Sequence, residues 1–164
     1  MIVQGDYVNM GNSNPIAIIG GYDLIARSFF SKAKLINKES IFINVGNKNI
    51  QRKGIYNYKI FQLKKILDKL NQSNIKNLLF IGKIFRPNLS TFKKDGEIER
   101  YIPLLMNSYR HGDGKVLVDI LDIFSQKGFN VLSPYEVSKS FFFTKHELND
   151  VLTYDDKNDA KKSF

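Results

Sequence analysis

The chain has 164 residues, 43% of them hydrophobic, with a net charge of +9. That is about one domain with enough apolar content for a real core, which excludes wholesale disorder. There is no cysteine, so disulfide frameworks and thiolate zinc sites are excluded; no apolar run reaches the eighteen residues that would suggest a membrane span.

The amino-terminal stretch MIVQGDYVNMGNSNP has neither a basic leader nor an apolar h-region, so it does not read as a secretory signal. Residues 1–14 are taken as a flexible extension and the protein as cytoplasmic. The run Pro15 to Ile19 reads as a buried strand that ends at Gly20 and Gly21. A helix follows, with Leu24, Ile25, Phe29 and Ala33 as its apolar stripe. SIFINVGN (Ser40 to Asn47) is a second strand ending in glycine, and GIYNYKIF (Gly54 to Phe61) a shorter, more exposed one. The next segment places Leu63, Ile66, Leu67 and Leu70 on one helical face, with Lys64, Lys65 and Lys69 mostly off it. IKNLLFIG is another buried strand.

Beyond the loop FRPNLSTFKKDGEIER the pattern predicts helices over Glu97 to Tyr109 and Gly114 to Lys127. The second carries Val116, Leu117, Ile120, Leu121 and Phe124 on its apolar face. Gly128 closes that helix before a last strand in GFNVLSP. The segment YEVSKSFFF and a polar tail, TYDDKNDAKKSF, complete the chain. Strands alternating with helices predict an α/β fold: a Rossmann-like, three-layer, open and mainly parallel sheet with helices on both faces.

In such sheets ligands sit at the carboxyl ends of the strands, where loops and helix N-termini converge. Gly20, Gly46 and Gly82 fall there, and Ser133 follows the last strand. Gly20 and Gly21 would let a ligand approach the backbone, or would serve only a tight strand-to-helix turn. Lys83 and Arg86, in GKIFRP, could clamp a phosphate, the guanidinium by a bidentate grip and the ammonium as a point charge. The competing reading is a pair of solvated loop charges. Gly112 and Asp113 stand between the two late helices, where Asp113 suits an N-cap and could also hold a sugar hydroxyl or a metal.

GGYDLI is not the G-x-G-x-x-G fingerprint, and the second strand ends NVGN without an acidic residue for a ribose. A nicotinamide cofactor therefore fits poorly, and no Walker loop is present. His111 and His146 stand alone, without metal-ligand spacing. Phe141 to Phe143 read as core or interface, with an acyl-chain patch as the lesser alternative. Asp155, Asp156 and Asp159 read as solvated tail charges beside Lys157, Lys161 and Lys162. The positive charge points to an anionic partner, yet the Lys, Asn and Ile richness is also what an AT-rich genome produces, so charge alone does not decide.

Taken together and in order, IAIIGGYDL, NIKNLLFIGKIFRP, HGDGKVLVDI and GFNVLSPYEV resemble the amino-terminal domain of LpxI, the UDP-2,3-diacylglucosamine pyrophosphatase family of lipid A biosynthesis. The resemblance assigns residues 15–152 to that domain. It departs from the family at Tyr22, where a third glycine is usual and where the ring narrows the first loop, and at Gly114, where a second aspartate is usual. It implies hydrolysis of UDP-2,3-diacylglucosamine to UMP and the lipid 1-phosphate, with Mg2+ or another divalent cation whose ligands are not in this chain. It further implies peripheral contact with the inner membrane of a Gram-negative bacterium, from its cytoplasmic side, and no nucleic-acid partner; it leaves a homo-oligomer open. Residues 153–164 would be the linker or tail where a second, catalytic domain begins, and the chain alone would be nearly inactive. The substrate-binding residues expected on this basis are Gly20, Gly21, Gly82, Lys83, Arg86, Gly112 and Asp113. The alternative is a stand-alone α/β module that binds a nucleotide or nucleic acid.

Overall fold

A computed structural model describes residues 14–84 and 96–138. Five parallel strands form one sheet in the order β3-β2-β1-β4-β5. They are β1 (Ile16–Gly20), β2 (Ile41–Asn44), β3 (Ile55–Asn57), β4 (Asn77–Phe80) and β5 (Asn130–Leu132). Helices α1 (Leu24–Ile36), α2 (Leu63–Gln72), α3 (Ile102–Tyr109), α4 (Asp113–Gln126) and the short α5 (Pro134–Ser138) connect or follow them. This is the expected Rossmann-like α/β architecture, with layers on both faces of the sheet.

The central strands alternate between two cores. Ala17, Ile19, Ile41, Ile43 and Leu78 face α2, α3 and α4. Ile18, Phe42 and Leu79 face α1 and Val137 of α5. A strand buried on both faces must be apolar at nearly every position, and the runs IAIIG, IFIN and NLLF meet that demand. At about 25 cal/mol per Å2 of apolar surface removed from water, the burial of these runs contributes to stability on both faces of the sheet. The crossover from β2 to β3 contains no helix; it runs over the α1 face, where Ile50 packs onto the second core.

Two predicted stripes are rotated. In α1 the buried apolar residues are Ala26, Phe29, Phe30 and Ala33, whereas Ile25 is 56% exposed. In α4 the face is Val116, Ile120, Ile123 and Phe124, and Leu117 is exposed. The predicted helix over Glu97 to Tyr109 begins later: a 3-10 turn spans Glu99–Tyr101, and α3 starts at Ile102. Pro103 lies in its first turn, the one place in a helix where the missing N–H costs nothing. The expected strand over Gly54 to Phe61 is reduced to Ile55–Asn57, and Ile60 and Phe61 turn into the core. In α2, Leu63, Ile66, Leu67 and Leu70 are buried as expected.

Candidate strand-end site

The first loop is built by backbone contact. A Cβ added to Gly20 would strike the carbonyl oxygen of Ile81 and come within 2.8 Å of its carbon. One on Gly21 would strike the Lys83 carbonyl oxygen, and one on Gly82 would sit 2.5 Å from the Gly21 oxygen. Gly46 joins from β2, its Cβ position lying 3.3 Å from the Cα of Gly21. Gly82 also has φ +96°, in the region that favours glycine. The loops after β1, β2 and β4 thus interlock at glycine. Gly20, Gly21 and Gly82 come together at the strand ends, and their lack of side chains is needed for loop-on-loop packing before any ligand is considered.

Asp23 completes the junction. As N-cap of α1 its Oδ1 accepts the Ala26 N–H at 3.0 Å, while Oδ2 accepts the Lys83 N–H at 2.7 Å. One carboxylate therefore spends both oxygens on backbone donors, one from the first turn of α1 and one from the loop after β4. The positive end of α1, where a phosphate commonly rests in open α/β sheets, already faces this carboxylate.

The second strand end is equally self-sufficient. Asn44 is buried and donates from Nδ2 to the Lys48 carbonyl and to Asn57 Oδ1, each at 2.7 Å; its Oδ1 accepts the Gly46 N–H at 3.1 Å. Asn57 in turn pairs with both backbone groups of Ile50. An acidic residue at the end of the second strand holds a ribose in dinucleotide folds; here the equivalent side chain is consumed in ordering residues 46–50. Asn44→Asp should confirm this. A carboxylate there would confront the acceptors of Lys48 and Asn57, so the protein should lose about 2–4 kcal/mol by thermal unfolding and gain no affinity for NAD. Parent-like stability would contradict the network.

Tyr22, expected to narrow the first loop, is held on the sheet by its ring and its hydroxyl. Its ring packs edge-on against Phe42, centroids 5.0 Å apart, on the α1 face, and its hydroxyl accepts from Arg52 at 3.2 Å. In place of a glycine the chain has a ring that pins the β2–β3 crossover to the first loop.

Ser133 and Glu136 form a capping box on α5. Glu136 Oε2 accepts the Ser133 N–H at 2.6 Å, and the Glu136 N–H donates to Ser133 Oγ at 3.2 Å. The Ser133 backbone bond first, then its hydroxyl, hold the Glu136 carboxyl below its ordinary pKa. Ser133 is thus a cap.

Lys83 is exposed on the strand-end side of β4, directly beyond Gly82. Arg86, the Phe141–Phe143 run, His146 and the tail aspartates lie outside the described residues. Gly112 and Asp113 open α4, which runs back toward β5 and so starts at the same sheet edge as Lys83. The expectation that Asp113 caps α4 is corrected: Gly112 holds the cap position with φ +104°, and Asp113 is the first helical residue. A side chain at the cap would have to adopt that left-handed conformation, which glycine does without cost. A Cβ at Gly112 would meet nothing within 4 Å, so this turn is no part of the glycine interlock.

Away from this edge, a groove of about 500 Å3 between α2 and α4 is lined by Lys64, Asp68, Asn71, Glu97 and Lys127 among others. Its charges are paired within it, Lys64 with Asp68 and Lys127 with Glu97. The Lys127 hydrogen bond chiefly holds the Glu97 carboxyl below its ordinary pKa. Among the described residues no group of three or more His, Asp or Glu could hold a metal ion, and no helix is long and apolar enough to cross a membrane.

The fold and this edge define an open α/β domain of the Rossmann-like class whose loops meet at the switch point between β1 and β4. Residues 15–141 match the family described as LpxI N-terminal domain, and the chain belongs to the LpxI family. That family serves lipid A biosynthesis. No curated protein matches the chain significantly.

Proposed function

We propose that the chain supplies the substrate-binding amino-terminal domain of a UDP-2,3-diacylglucosamine pyrophosphatase, which yields UMP and 2,3-diacylglucosamine 1-phosphate at the cytoplasmic face of the inner membrane. The observation that carries this reading is the family match over residues 15–141. The strand-end geometry supports a binding role on one side of the switch point. The α1 N-terminus and the end of β2 are occupied by Asp23 and by Asn44 with Asn57. The ligand's phosphates are therefore assigned to the β4 side, where Lys83 is exposed beyond Gly82, with Arg86 three residues further along the sequence.

An ammonium at that place stabilises pyrophosphate charge as a point donor. A divalent cation would polarise the phosphoryl group under attack. The described residues offer it no seat, so no role assigned to these side chains passes through it.

Titration calorimetry of the 164-residue chain tests the reading. UMP and UDP should bind, and a random oligonucleotide should not compete. Lys83→Ala combined with Arg86→Ala should weaken UDP by about tenfold or more while the unfolding midpoint stays within about 3 °C. Equal affinity in variant and parent would return both cations to the solvated loop. Oligonucleotide binding with a steep salt dependence and no uridine response would favour the nucleic-acid module.

A further inference from the structure

We propose that Asp23 is a positioning residue for Lys83, locking the β4 loop to the start of α1 so that the lysine ammonium is presented to a nucleoside-diphosphate ligand. The inference rests on the reading of Lys83 given above and goes beyond it by naming the group that sets the lysine's backbone.

Three observations converge. The Asp23 carboxylate accepts the main-chain N–H of Lys83 itself, at 2.7 Å and across sixty positions of sequence. The same carboxylate is anchored by the Ala26 N–H at 3.0 Å, so its second oxygen is held in place by the first turn of a thirteen-residue helix. Finally, the Lys83 carbonyl lies against Gly21, and the Gly82 Cβ position lies 3.2 Å from Asp23 Oδ2. The backbone on both sides of the Lys83 Cα is therefore fixed, on one side by a charge-assisted hydrogen bond and on the other by close packing. A flexible lysine loses less entropy on gripping a phosphate when its Cα is already held.

A cap alone would need only one acceptor. Serine and asparagine cap helices as well as aspartate does, yet each lacks the second anionic oxygen that reaches Lys83. An aspartate also places a negative charge beside an anion's seat, which by charge alone weakens phosphate binding. Positioning and charge thus predict opposite signs for its removal.

The test uses the 164-residue chain with UDP as probe. Asp23→Ser keeps a cap for Ala26 but is too short to reach Lys83; Asp23→Asn has one acceptor oxygen for two donors. Both should weaken UDP by about five- to tenfold, and amide exchange at Lys83 should quicken while Ala26 stays protected. In the Lys83→Ala background, Asp23→Ser should add less than about twofold, because the two residues act as one unit. Tighter or unchanged UDP binding in Asp23→Ser, or full additivity with Lys83→Ala, would overturn the positioning role and leave the Lys83 reading standing. If Lys83→Ala alone leaves UDP affinity unchanged, the Lys83 reading itself falls and takes this inference with it. Should the serine variant not fold, the asparagine variant carries the same comparison.

Discussion

Gly20→Ala should destabilise the protein by about 3 kcal/mol or more, lowering the chemical-denaturation midpoint sharply. The added methyl would collide with the Ile81 carbonyl, which belongs to backbone and not to a flexible side-chain end. That backbone is itself held, the Ile81 N–H donating to the Ile19 carbonyl at 3.1 Å, beyond a β1–β4 ladder that pairs Ile19 with Phe80. Relief requires β1 and β4 to separate at their carboxyl ends, at the centre of the sheet. Gly96→Ala is the matched control: a Cβ there would meet nothing within 4 Å, so its midpoint should move by no more than about 0.5 kcal/mol. Against a total stability of about 5–15 kcal/mol for a domain of this kind, the first change removes a large share and the second almost none. Equal midpoints for the two variants would refute the interlock.

The contrast also shows what could be read from the sequence. β1, β2 and β4 were legible because a parallel strand covered on both faces is written as an unbroken apolar run. Helix α2 was legible for the opposite reason, since its lysines mark the solvent side of the stripe. In α1 and α4 the same reasoning misplaced the stripe by a fraction of a turn. LIARSFF and VLVDILDIF have apolar residues on nearly every side, and when Ile25 and Phe29 compete with Ala26 and Phe30, periodicity does not choose between them. Packing chose Ala26, which lies so close to Gly82 that a Cβ added to that glycine would sit 2.9 Å from the Ala26 methyl.

The candidate site divides in a similar way. Glycines at strand ends are a local signal, so Gly20, Gly21 and Gly82 could be named beforehand, but not the fact that they pack on one another. Asp23 was missed because its second bond reaches Lys83, sixty residues away. Its cap position before LIARSFF was the only local hint. Asn44 and Asn57 are thirteen residues apart, and nothing short of the pairing of β2 with β3 brings them together. Asp119 was hidden differently: an aspartate between apolar residues reads as the solvent side of a helix, and the partners that make its burial tolerable sit partly on another helix.

Asp119 carries the second large expectation. It is 3% exposed and lies between α3 and α4, where Lys115 Nζ donates to Oδ1 at 2.6 Å and the Ser108 hydroxyl hydrogen-bonds Oδ2. Ser108 is itself buried, so this carboxylate is the polar centre of the helix–helix contact. The Lys115 hydrogen bond and then that of Ser108 hold its pKa below the ordinary aspartate value, outweighing the opposing effect of burial. A carboxyl whose folded pKa is depressed stabilises the fold above the unfolded value, about 4. That contribution is lost as pH falls from the unfolded value through the folded one, because over that window the unfolded chain holds a proton that the folded state does not. Asp119→Ala should cost about 2 kcal/mol at neutral pH. Lys115 is half-exposed and regains water when its partner is removed, and Ser108 keeps the Leu104 carbonyl as acceptor at 3.0 Å, which keeps the loss below that of a fully buried pair. Asp119→Asn retains the shape and an acceptor for Ser108 but cannot titrate. Its stability deficit should therefore be largest near neutrality and shrink below pH of about 4. A deficit that stays constant from neutral to acid pH would show that the carboxylate charge does not hold α3 to α4.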